Sequence, residues 1–266
     1  MTLAVEARAS ATQRRSRMNK EALRTCKTIS RRLVKQGAEA VVVFGSWVRG
    51  DHYSESDLDI HAIGKGPPYR LERYQNFLVS ISWQTAKQAR QAFKDPKQVG
   101  GIIPAWRNAF IVYDPKSIAK ALKQESRAWR WEPLSKKTDR WVADEIAGWA
   151  EEVHKLVGNL QVGRRTAASV QRSLLAIYMG RILAAHHRLL YDTENRLWDL
   201  VSERMGPTWT RLQSAALAER GQNFEETCKA ALQLYVLTAR EVRSLLNDQE
   251  REVVDHACKI ADEPLL

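Results

Sequence analysis

Between residues 19 and 36 the apolar positions Leu23, Cys26, Ile29 and Leu33 recur at helical spacing, and Gly37 stands where such a helix would stop. The pattern predicts a first helix. Residues 38–44 follow as a β-branched run with no polar alternation after Glu39, as expected of a strand covered on both faces, and Gly45-Ser46 breaks it. Residues 58–63 and 77–83 read as two further strands, and Phe110-Ile111-Val112-Tyr113 as another, closed by Asp114-Pro115. The N-terminal half therefore mixes helices with a sheet.

After about Pro133 the strand signals stop. Trp141, Ile146, Trp149, Val153 and Leu156 trace one face of a single long helix. Val170, Leu174, Ile177, Tyr178 and Leu183 mark a second helix ending near Leu190. Residues 197–205 form a third, stopped by Gly206-Pro207, and residues 224–246 a last long one. The expected class is α+β: a sheet-containing domain over 18–134 and a helical bundle over 135–266, divided at Ser135-Lys136-Lys137 and preceded by a basic arm over 1–17.

Composition agrees with a folded chain: 44% of the 266 residues are hydrophobic and 27% charged, with 13 Gly and 8 Pro. The longest apolar runs, 41–44 and 174–178, fall far short of the roughly 20 residues that a membrane-spanning helix needs. Cys26, Cys228 and Cys258 are widely spaced and form no C-x-x-C pair, which suggests neither a zinc site nor a disulfide framework. The opening residues lack the apolar core of a secretory signal, so the cytoplasm is the expected compartment. Residues 1–36 hold ten Lys/Arg against two Glu, which accounts for +8 of the net charge of +11. The first part of that stretch, residues 1–17, reads as a flexible, solvated arm rather than a nucleic-acid surface.

Candidate chemistry lies in Phe44-Gly45-Ser46-Trp47-Val48-Arg49-Gly50-Asp51, followed by Ser56-Asp57-Leu58-Asp59-Ile60. A buried strand running into Gly-Ser lets the backbone approach a phosphate and offers amide donors and a hydroxyl. At the head of the next strand, a period of two turns Asp57 and Asp59 to one face, close enough to share a divalent cation. Asp59 lies between Leu58 and Ile60, where an unpaired carboxylate would be costly without a metal or a basic partner. Together the two halves suggest nucleotide and Mg2+.

These residues resemble the signature of the polymerase-β-like nucleotidyltransferases: Gly-Ser, a short helix, then Asp-x-Asp. The resemblance is closer to the kanamycin nucleotidyltransferase-like (aminoglycoside nucleotidyltransferase) members, because Glu151-Glu152-Val153-His154-Lys155 and Ala184-Ala185-His186-His187-Arg188-Leu189-Leu190-Tyr191 also look similar. It extends over residues 20–250. The resemblance implies a polymerase-β-like domain joined to a C-terminal helical bundle, working as a homodimer. It implies Mg2+ and ATP, with the nucleoside monophosphate passed to a hydroxyl of a small molecule such as an aminoglycoside-type antibiotic and pyrophosphate released. On the same basis Asp57 and Asp59 hold the metal, while Gly45, Ser46, Ser56 and Lys155 bind the nucleotide. Glu151 becomes the general base, with Lys155 one turn further on the same face and Glu152 pointing elsewhere.

In such enzymes a third carboxylate sits on the next core strand; here Ser80 stands at that place. Two aspartates then suffice with one Mg2+, or Glu55 substitutes, or catalysis has decayed. Arg49 is read either as a phosphate contact or as an ion-pair partner of Asp51 or Asp57. His186-His187 is read as packing or capping, since consecutive helical residues diverge by about 100°. Most of the nine Trp are read as core. The net basic charge suits a polycationic antibiotic only if acids such as Asp144, Glu145, Glu151 and Glu152 line the cleft. A protein or RNA acceptor, or a non-catalytic descendant that binds nucleotide or nucleic acid, are the rival readings.

Overall fold

A computed structural model describes residues 18–219 and 221–263; the basic arm expected over 1–17 lies outside the described residues. The chain divides into two compact units, with the break between Trp129 and Arg130. The expected division point, Ser135, is the first residue of a helix in the second unit.

The first unit opens with α1 (Lys20–Lys35), whose N-terminus is capped by Asn19 Oδ1 accepting from the Ala22 amide at 2.8 Å. Its buried stripe includes Cys26, Ile29 and Leu33, as the spacing predicts. Then come β1 (Ala40–Val43), the single turn α2 (Ser46–Arg49), β2 (Leu58–Ile63), β3 (Tyr69–Tyr74) and β4 (Phe77–Gln84). The unit closes with α3 (Ala86–Ala92), α4 (Val99–Asn108), β5 (Phe110–Tyr113) and α5 (Ile118–Ala128). The strands form one sheet in the order β3-β4-β2-β1-β5, with β2 and β4 parallel and the other neighbours antiparallel.

Alternation along the strands gives the sheet two different faces. On one, Val41, Val43, Leu58, Ile60, Val79 and Ile81 form a core with Cys26, Ile29 and Leu33 of α1. On the other, Phe44 and His61 are covered by Trp106 of α4, with ring centroids 5.2 Å apart for Phe44–Trp106 and 6.3 Å for His61–Trp106. Further along that second face the cover ends: Tyr69, Leu71 and Leu78 of β3 and β4 are 60%, 51% and 45% exposed. Asp59, two residues before His61 on the same face, stands where the covered part gives way to the open part.

The strand β3 and the helices α3 to α5 are absent from the sequence reading. Tyr69–Tyr74 is an edge strand bonded on one side only, and its charged, half-exposed residues carry little hydrophobic signal. Helix α4 contains Gly100, Gly101 and Pro104, poor helix formers held by burial of Val99, Ile103 and Trp106.

The second unit is helical: α6 (Ser135–Gly148), α7 (Ala150–Gln161), α8 (Arg165–His186), α9 (Glu194–Met205), α10 (Pro207–Ala216), α11 (Phe224–Val242) and α12 (Asp248–Asp262). Two predicted helices are corrected. The long helix through Trp141 and Leu156 is two, α6 and α7, broken at Trp149 just after Gly148. The indoles of Trp141 and Trp149 both donate to the Glu145 carboxylate, at 2.9 and 3.2 Å, which pins that corner. The last long helix ends at Val242 in a 3-10 turn, Arg243–Leu245, and α12 follows. Leu175, Met179 and Leu183 of α8 pack with Leu232, Tyr235 and Ala239 of α11 at the centre of this unit's core. The buried Tyr235 hydroxyl donates to the Ile146 carbonyl at 3.1 Å. Among the described residues no helix is long and apolar enough to cross a membrane.

Candidate active site

β1 delivers the chain to Gly45 beside β2: the Phe44 amide donates to the Asp59 carbonyl at 2.9 Å. Gly45 has φ +77°, and a Cβ built on it would lie 2.0 Å from Asp59 Oδ2. Glycine is required here twice over, by the backbone conformation and by the carboxylate that fills the side-chain position. The Gly45 carbonyl then accepts from the Val48 and Arg49 amides, each at 3.2 Å, closing a helix of one turn that ends at Gly50, φ +89°.

Trp47 ties the two halves of the motif together. Its buried ring stacks on His52, centroids 3.7 Å apart, and meets Phe77 edge-on at 5.4 Å. Its Nε1 donates to the Ser56 carbonyl at 3.1 Å. Ser56 Oγ accepts from the Tyr53 amide at 2.8 Å, so this hydroxyl also shapes the turn leading to the aspartates.

Asp57 immediately precedes β2 and Asp59 is its second residue; both are half-buried. Ser80, opposite Asp59 in the parallel ladder, donates its hydroxyl to Asp59 Oδ1 at 2.8 Å. Burial raises the Asp59 pKa above its ordinary value of 3.8; the hydrogen bond from Ser80 opposes this, the neighbouring Asp57 adds to it, and the Arg49 guanidinium opposes it. Arg49 Nε also pairs with Asp51 Oδ2 at 3.1 Å, one of the two partners the sequence offered it. Glu55 is exposed on the preceding turn and accepts from Ser54 Oγ at 2.5 Å. Gly45, Ser46, Ser56, Asp57 and Asp59 thus share one end of the sheet. An aspartate made costly by burial and by a neighbouring anion is relieved by a divalent cation, and a carboxylate donor set suits Mg2+.

His61 is a part of this face that the sequence reading passed over, although its spacing of two from Asp59 signals it. Its Nδ1 lies 2.5 Å from Ser82 Oγ, while its buried Nε2 has no hydrogen-bond partner among the described residues. Burial pushes its pKa down from 6.5 to about 4. The ring stands beside Asp59 on the same face of β2, packed on Phe44 with centroids 5.4 Å apart.

Glu151 and Lys155 lie on α7, in the second unit. Lys155 Nζ sits 2.9 Å from Glu151 Oε1 and 2.8 Å from Glu152 Oε1. The expectation that Glu152 points elsewhere is corrected: residues three and four before Lys155 flank it from both sides of one helix face. The Glu151 side chain is 71% exposed and that of Glu152 16%.

Residues 23–113 match the nucleotidyltransferase domain. The match takes in Gly45-Ser46, Asp57-Leu58-Asp59 and Ser80, and all five strands of the sheet lie within it. Among solved structures, a nucleotidyltransferase-like protein from Exiguobacterium sibiricum has a similar fold, with TM-score 0.53, 11% identity, and coverage of 91% of this chain and 81% of that one. No curated protein matches the sequence.

Proposed function

We propose that the chain is a Mg2+-dependent nucleotidyltransferase that moves AMP from ATP to a hydroxyl of a small-molecule acceptor and releases pyrophosphate. The observation that carries this reading is the fit of Asp59 against Gly45. The carboxylate occupies the space of the missing Cβ, so the Gly-Ser turn and the acid pair are built as one unit. The match of residues 23–113 to the nucleotidyltransferase domain supports it.

Asp57 and Asp59 are the residues that would hold Mg2+, which when bound neutralises charge on the phosphate oxygens. Ser80 keeps Asp59 Oδ1 fixed and favours its ionised form. Gly45 lets the backbone approach the triphosphate, and Ser46 and Ser56 with Lys155 are its assigned binding residues. Catalysis here consists largely of positioning the acceptor oxygen in line with the leaving pyrophosphate. The proton acceptor, Glu151, is assigned on the family resemblance alone, with Lys155 its partner. A serine at the third carboxylate position favours a single cation.

We assign the acceptor to small hydroxyl compounds, with an aminoglycoside-type antibiotic and a resistance role as the resembled case, and the active form to a cytoplasmic homodimer. The chain is net basic even outside residues 1–36, at +3, so a polycationic acceptor would need a locally acidic cleft. The test is an acceptor screen with α-labelled ATP and Mg2+ over aminoglycosides, lincosamides, tRNA and protein extract. Label in a small-molecule product supports the proposal. Label in RNA or protein, or in nothing, overturns it in favour of a macromolecular acceptor or a non-catalytic nucleotide binder.

A further inference from the structure

In the second unit the C-terminal ends of three helices meet: His186 and its following cap residue His187 at the end of α8, Met205 at the end of α9, and Glu241 in the last turn of α11. Helix C-termini carry partial negative charge, and their convergence favours a cation. The two imidazoles do not diverge as consecutive helical residues were expected to; their rings meet edge to face with centroids 4.8 Å apart. One ligand atom from each of His186, His187 and Glu241 lies within 4.8 Å of the others. His187 Nε2 is 3.3 Å from Glu241 Oε1 and 3.3 Å from Met205 Sδ, and the buried Nδ1 of His186 has no hydrogen-bond partner among the described residues.

We propose that His186, His187 and Glu241 form a zinc site that staples the ends of α8 and α11. Two imidazoles and a carboxylate are a characteristic donor set for Zn2+, with water as the fourth ligand. Ligands about 2 Å from a tetrahedral ion stand about 3.3 Å apart, so donor atoms now within 4.8 Å of one another close on the ion by side-chain rotation. Without metal, Arg204 Nε donates to His187 Nδ1 at 3.2 Å, which puts the ring proton on Nε2, facing Glu241. On ligation that proton moves to Nδ1, the exposed Arg204 turns to solvent, and the proton count of the ring is unchanged. The site uses none of the residues assigned to nucleotidyl transfer and stands or falls separately from that function.

The test titrates the full-length chain with Co2+, whose visible absorption is intense in four-coordinate nitrogen and oxygen sites, and then displaces it with Zn2+. The expected results are one equivalent with the four-coordinate spectrum, displacement by Zn2+, and a higher melting temperature with Zn2+. Glu241→Gln, at an exposed position with little folding risk, and His186→Ala should each weaken affinity at least ~10-fold, while Asp57→Asn with Asp59→Asn leaves the spectrum in place. Three outcomes would overturn the site: no four-coordinate spectrum, a spectrum unchanged in both Glu241→Gln and His186→Ala, or loss of the spectrum in the aspartate variant. If His186→Ala unfolds by circular dichroism, Glu241→Gln decides alone.

Discussion

Ser80 faces Asp59 across the parallel β2–β4 ladder and donates a hydrogen bond to its carboxylate at 2.8 Å. A third acid in this position would add like charge to an aspartate already raised by burial and by Asp57, whereas a hydroxyl favours the ionised form. Ser80→Ala removes that support. A hydrogen bond to a charged group contributes about 1.5–3 kcal/mol, so the Mg2+ concentration for half-maximal turnover should rise ~10-fold or more. Ser80→Asp should instead take up a second divalent ion, read as a doubled stoichiometry by calorimetry. Unchanged Mg2+ dependence in Ser80→Ala would show that the contact does not bear on metal binding.

Gly45→Ala tests how tightly the turn and the acid are built together. The new Cβ meets Asp59 Oδ2 and the residue must hold φ +77°. The backbone term alone costs about 1–3 kcal/mol. Gly163, at φ +71° with nothing within 4 Å of its built Cβ, provides the control. Both alanine variants should melt at lower temperature, and only Gly45→Ala should lose turnover.

Stability against pH should show two opposed contributions in the metal-free protein. The Asp59 pKa is raised on folding, so the native state binds more protons than the unfolded chain just above pH 3.8, and stability falls as pH rises through the folded value. Asp59→Asn should therefore melt at a higher temperature than wild type at pH 7 in chelator, with the gap closing in acid. The His61 pKa is lowered from 6.5 to about 4, so the unfolded chain binds more protons in that window and stability falls as pH drops through it. His61→Leu should flatten the acid limb by up to one proton. Parallel pH profiles for the variants and wild type would contradict both assignments.

Glu151 and Glu152 both accept from Lys155, so deleting either leaves the ammonium one anchor. Only chemistry separates them. With Glu151 as the general base, Glu151→Gln should lower turnover by roughly 10²- to 10⁴-fold, and Glu152→Gln should leave it near wild type. Equal losses in the two variants would remove Glu151 from the catalytic set.

Much of the sheet is legible in the sequence: 58–63 and 110–113 coincide with the inner strand β2 and the edge strand β5. The edge strand β3 is not, since half of its residues face solvent. In the helical unit, apolar spacing continues across the corner at Trp149, and periodicity alone does not register a bend held by two indoles on Glu145. Helix α12 had a readable start, as Asn247 and Glu250 form a capping box, but its apolar stripe is sparse. At the site, Gly45, Asp57 and Asp59 could be read from spacing. The hydroxyl partner of Asp59 and the convergence of His187 on Glu241 depend on strand register and helix packing, which no local pattern encodes.

In the proposed function, Asp57 and Asp59 hold the ion on which nucleotidyl transfer depends. Its most direct test follows α-labelled ATP turnover across a Mg2+ titration in wild type, Asp57→Asn and Asp59→Asn, with folding checked by circular dichroism. Wild type should turn over in proportion to Mg2+ binding, and both folded variants should lose turnover at every Mg2+ concentration. Turnover at the wild-type level in either variant, or turnover independent of Mg2+, would contradict this assignment.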